Sequence, residues 1–182
     1  MSEGDRAAAV VERLRAEGEG LYAVLDAARD DHVLAAISRS GERFRSLYEG
    51  WQGDGLADVA PYLVELPSGS AFVDRLVREG WGESWGIFLV TPEDFFSVRR
   101  HLRRFLRVVD HDGKRLLFRY YDPRVMRAWL PTCTPDETRA FFGSASAFIT
   151  EGRRGATFLR FTPGPEGAEV ETFPLPDESP EP

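Results

Sequence analysis

The sequence has one cysteine, Cys133, which excludes an internal disulfide framework and a multi-cysteine zinc site. It has almost no lysine: of 23 basic residues only Lys114 is one, and the rest are arginine. No stretch approaches the ~20 apolar residues that span a bilayer, so no membrane association is expected. There is no basic excess either, with 30 acids against 23 bases and a net charge of −7, which argues against nucleic acid as a partner. The first residues carry Glu3 and Asp5 and no apolar run of the signal-peptide kind, so the expected compartment is the cytoplasm. No internal repeat is visible.

What remains is an ordinary globular composition. The chain has 182 residues, 42% hydrophobic and 29% charged, which suits one soluble domain. A chain of that size buries roughly 70% of its unfolded surface. The negative charge is concentrated late: residues 163–182 hold six acids and no base, leaving 24 acids against 23 bases before them. The expected organisation is an N-terminal helix and linker (1–20), an α/β domain (21–162) and an acidic, disordered tail (163–182).

Apolar periodicity and punctuation predict alternating helices and strands. Residues 5–17 read as a helix stopped by Gly18 and Gly20, and Leu21–Leu25 as a buried strand. Thr91-Pro92-Glu93-Asp94 reads as a helix start with Thr91 as the cap, opening a helix to about Arg107. Asp112-Gly113 marks a hairpin turn. Asp122-Pro123 and Thr134-Pro135 repeat the cap-and-proline signal. The fold class expected is α/β (α+β): a mixed β-sheet flanked by helices, followed by short C-terminal strands and the acidic tail.

Few residue groups suggest chemistry. Gly82-Glu83-Ser84-Trp85-Gly86 matches the G-x-S-x-G pattern of a nucleophile elbow, which needs a strand before the serine and a helix after it. Here the order is inverted, so Ser84 with His101 or His111 as base is only the alternative reading. Asp110-His111-Asp112 lacks further ligands at metal-binding spacing, and neighbouring strand residues point to opposite faces. No metal site and no cofactor are expected. Arg99, Arg103 and Arg107 recur at i, i+4 and i+8, giving one basic helix face opposite an apolar stripe. A nucleic-acid module on helix 93–107 is a second alternative, weakened by the absence of interleaved exposed aromatics.

Arg119-Tyr120-Tyr121-Asp122-Pro123-Arg124-Val125 joins a strand to a capped helix. At this motif the sequence resembles the adaptor chaperones of bacterial type VI secretion, long catalogued as a domain of unknown function and also called Tap or Tec proteins. The resemblance runs in order through Leu21–Ala28, Ala60–Val64, Trp85–Leu89, His101–Leu106, Leu117–Val125, Leu130-Pro131 and Phe141–Gly143. It implies a non-catalytic cytoplasmic protein that binds a secreted effector and promotes its loading onto the VgrG spike. No catalytic residue carries over. Arg119, Asp122, Pro123 and Arg124 match the family signature, with a structural role first and a partner-facing one second. Members often continue into a helical lobe, whereas this chain turns to short strands. The residues expected to meet partners are Arg99, Arg103, Arg107, Arg124 and the loop aromatic Trp51.

Overall fold

The structure, a computed structural model, describes residues 3–48, 56–109 and 112–176. Its strands are β1 (Leu21–Asp26), β2 (Phe44–Ser46), β3 (Pro61–Leu66), β4 (Gly86–Val90), β5 (Arg107–Val109), β6 (Arg115–Leu117), β7 (Ala147–Glu151), β8 (Thr157–Gly164) and β9 (Gly167–Pro174). Its helices are α1 (Glu3–Ala16), α2 (Asp31–Ser38), α3 (Phe72–Gly80), α4 (Phe95–Arg103), α5 (Pro123–Trp129) and α6 (Pro135–Phe142).

All six residues of β1 are buried, and they divide by parity. Leu21, Ala23 and Leu25 join one apolar cluster, Tyr22 and Val24 another. A strand apolar on both faces needs cover on both. On the first face Val10 and Leu14 of α1, Val33 and Ile37 of α2 and Phe72 and Leu76 of α3 supply it. On the second face Phe95, Val98 and Leu102 of α4, Met126 of α5 and Phe141 and Phe142 of α6 do. The result is helix, sheet and helix in three layers, the α+β class expected from the alternating pattern.

The seven-stranded sheet runs β2-β3-β1-β4-β7-β8-β9. Every pairing in it is antiparallel, where the sequence suggested a mixed sheet. The reason is an inserted strand. β3 and β4 are joined through α3 and both run opposite to β1, so they are parallel to each other but never touch, because β1 lies between them. Gly86 permits that insertion, since a Cβ there would collide with the Val24 carbonyl.

Three further expectations are corrected. Asp94, not Thr91, caps α4, accepting from the Phe96 and Ser97 amides at 2.9 and 3.1 Å; Thr91 instead closes a turn onto the Glu93 amide. α4 ends at Arg103 rather than near 107, so Arg107 lies in β5. The β-branched pair Val108-Val109 favours the strand, and the Leu106 carbonyl accepts from the Phe118 amide to open the β5–β6 hairpin. Lastly, residues 163–174 are not a tail: β8 and β9 form a hairpin that completes the sheet, and Leu175 is buried against the first face. The exposed acids Glu169 and Glu171 suit an edge strand, where charge discourages further pairing. Residues 177–182 lie outside the described residues.

Candidate functional site

The signature segment runs from β6 into α5 and sits where β1 ends. Its polar and aromatic side chains are tied to neighbouring elements. Tyr120 is fully buried, and its hydroxyl donates to the Leu102 carbonyl of α4 at 3.0 Å. Tyr121 is also buried; burial first, then Tyr48 and the Asp26 carboxylate, push its phenol far above the ordinary tyrosine range. Arg119 reaches Asp26, the last residue of β1, which also accepts from the Ala28 amide at 3.1 Å. Burial works to lower the Arg119 pKa, but the hydrogen bond and charge of Asp26 outweigh it and raise the net value.

Asp122 makes the next junction. It has extended backbone geometry, caps α5 by accepting from the Arg124 amide at 2.9 Å, and leaves Pro123 in the first turn. Its two carboxylate oxygens also take Nε and Nη2 of Arg124 at 2.9 and 2.6 Å, a bidentate fork. Burial acts to raise the Asp122 carboxyl, yet the Arg124 hydrogen bonds and charge hold it below the usual carboxylate range.

One turn further along α5, the Arg127 guanidinium donates to the Glu151 carbonyl at 2.6 Å. Glu151 ends β7 and is 4% exposed. Its carboxylate accepts from the Gly82 amide at 2.6 Å, the Ser84 amide at 3.1 Å and the Ser84 hydroxyl at 3.3 Å. Burial raises its pKa, an effect that these hydrogen bonds and Arg127 oppose without cancelling. Thus two buried carboxylates, Asp26 and Glu151, anchor both flanks of the signature. The sequence reading missed their role. Each closes an apolar strand run, and a lone acid at the end of such a run was the available signal.

Ser84 belongs to this node. It is buried with φ of 60°, and the helix α3 precedes it while the strand β4 follows, the reverse of an elbow. His101 is engaged elsewhere: its Nε2 meets the Phe141 carbonyl at 2.7 Å and its ring packs on Phe105. The two side chains are therefore committed to different partners. His111 lies outside the described residues. Cys133 is buried, and its thiol is pushed up to about 11, chiefly by burial and then by Glu137, so it is not a thiolate at neutral pH. Among the described residues no cluster of His, Cys, Asp and Glu could hold a metal ion, and no helix is long and apolar enough to cross a membrane.

The expected basic face of α4 divides. Arg99 donates to the Ser46 and Tyr48 carbonyls at 2.8 and 3.3 Å, and Arg103 to the Leu47 carbonyl at 2.9 Å. These two guanidiniums brace the backbone that follows β2. Arg100 and Arg104 face outward instead, and Arg107 is exposed on β5. Arg124 and Arg119 keep about half and two-fifths of their side chains exposed while paired. Trp51 lies outside the described residues.

The node thus presents two guanidiniums to solvent over a base of hydrogen-bonded buried carboxylates. The chain belongs to the family described as a domain of unknown function (DUF4123), whose model matches residues 21–140. That range spans β1 through nearly all of α6, the whole signature included. No curated protein matches the chain, and no solved structure does.

Proposed function

We propose that this protein is a non-catalytic cytoplasmic adaptor that binds a type VI secretion effector and promotes its loading onto the VgrG spike. The observation that carries the reading is the family match over residues 21–140, together with the ordered motifs that resemble the type VI adaptor chaperones. The signature residues support it by what they are bound to. Arg119 and Arg124 hold a strand end and a helix start together by pairing with Asp26 and Asp122. Such a node fixes a surface for recognition, in which shape and charge complementarity select a partner segment.

The test is genetic and biochemical together. With a tagged spike protein as bait, the effector is recovered from cells that express this chain and lost from cells that lack it. Equal recovery from both cells overturns the loading role.

A further inference from the structure

Large apolar side chains are exposed singly over most of the surface, but four of them crowd into one hairpin. Val108 is 40% exposed, Val109 66%, Leu116 39% and Leu117 51%. β5 and β6 form a sheet of their own, so among the described residues each pairs with the other and with no further strand. A two-stranded ribbon has two open edges, each a template for another chain.

The register says which groups are open. Leu106 and Phe118 are hydrogen-bonded opposite each other, with the Phe118 amide donating at 2.8 Å. In an antiparallel pair such positions alternate with non-bonded ones. Val108 and Leu116 are therefore bonded to each other, while the amides and carbonyls of Arg107, Val109, Arg115 and Leu117 point outward. The side chains divide by the same register. Val108 and Leu116 share a face with Leu106 and Phe118 and carry the apolar lining of the second cluster outward. The other face alternates charge and bulk: Arg107 opposite Leu117, and Val109 opposite Arg115. Both strand arginines are exposed, and among the described residues neither makes a hydrogen bond or ion pair. No acid lies within either strand.

We infer that the β5–β6 hairpin is a docking edge for an extended protein segment that alternates acidic and apolar residues and adds to the ribbon as a third strand. Outward backbone groups supply affinity, the alternating arginine and apolar positions supply selectivity, and the two arginines require acids opposite them. This deepens the adaptor reading and rests on it only for the claim that the segment belongs to an effector or spike. The strand docking itself is read without either protein.

The test uses the full chain and a labelled synthetic peptide of alternating Glu and Val, about six residues long to match a typical strand, with a Lys-Val twin as control, read by fluorescence anisotropy. The Glu-Val peptide binds and the Lys-Val peptide does not, and Arg107→Glu with Arg115→Glu reverses that preference. Val109→Pro and Leu117→Pro each remove one outward amide without touching a bond inside the hairpin. At least one of them weakens binding by about tenfold, the loss of roughly one net backbone hydrogen bond with its neighbours. Unchanged circular dichroism shows that the variants fold. Equal binding of both peptides, no binding, or indifference to both prolines overturns the inference. So does concentration-dependent dimerisation abolished by the prolines, which would make a second copy the occupant. If the peptide results hold while the effector and spike fail to associate with the chain, docking stands and the adaptor reading falls.

Discussion

Arg119 and Asp26 lie 93 residues apart in the chain and form an ion pair whose carboxylate is 1% exposed. The pair ties the end of β1 to the segment that launches α5. Removing Arg119 leaves a buried charge without its partner. Because the guanidinium is 40% exposed and water partly compensates, Arg119→Ala costs about 2–3 kcal/mol, below the roughly 3–5 of a fully buried pair. Urea unfolding measures it. A double-mutant cycle with Asp26→Asn recovers most of the loss, since Asn leaves no charge to strand.

Asp122 provides a separate, pH-dependent contribution. Its folded pKa is depressed, so the stability it contributes is present above the unfolded carboxylate pKa and is lost as pH falls through the folded one. Asp122→Ala removes the cap and the fork with Arg124; loss of the cap alone costs roughly 1 kcal/mol. In thermal melts the advantage of the natural chain over Asp122→Asn is full at neutral pH and shrinks towards the acid limb.

Glu151 has the opposite sign. Its folded pKa is raised, so the folded state binds the proton more tightly and stability falls as pH rises from the usual glutamate range through the folded value. Glu151→Gln abolishes that slope while turning one of the two acceptor oxygens that serve Gly82 and Ser84 into a donor. The melting temperature of the variant relative to the natural chain therefore climbs between mildly acidic and neutral pH. A flat difference contradicts the assignment.

The two kinds of arginine on α4 separate by stability. Arg99→Ala and Arg103→Ala each cost about 1–2 kcal/mol through lost charge-assisted bonds to the carbonyls of residues 46–48. Arg100→Ala stays within about 0.5 kcal/mol, as exposed substitutions do. Chemical denaturation of the three variants distinguishes them.

Ser84 carries the rival hydrolase reading. Its hydroxyl donates to Glu151 and is buried, so a fluorophosphonate probe leaves the chain unlabelled. Labelling that disappears in Ser84→Ala revives the nucleophile.

Much of the layered fold was legible because it rests on local signals. The caps Asp122 and Thr134 were read from cap-and-proline spacing, and Thr134 completes a capping box with Glu137. The buried run of β1 was read from apolar continuity. Thr91 misled because it too precedes a proline, while Asp94 directly precedes Phe95, the first residue of α4. The basic face misled differently: periodicity places Arg99 and Arg103 on one side of a helix but cannot say that backbone carbonyls of residues 46–48 wait there. The node of Asp26, Arg119, Asp122, Arg127 and Glu151 was half visible. Its signature half is contiguous in sequence, but Asp26 and Glu151 join it only through strand order, which places β1, β4 and β7 side by side. That order is set by β1 lying between β3 and β4, a long-range pairing.

The most direct measurement is size-exclusion chromatography of this chain co-expressed with the effector and spike proteins encoded beside it. The adaptor account predicts a complex in which the chain co-elutes with the effector, with the spike, or with both. Elution of the chain by itself, apart from either protein, contradicts it.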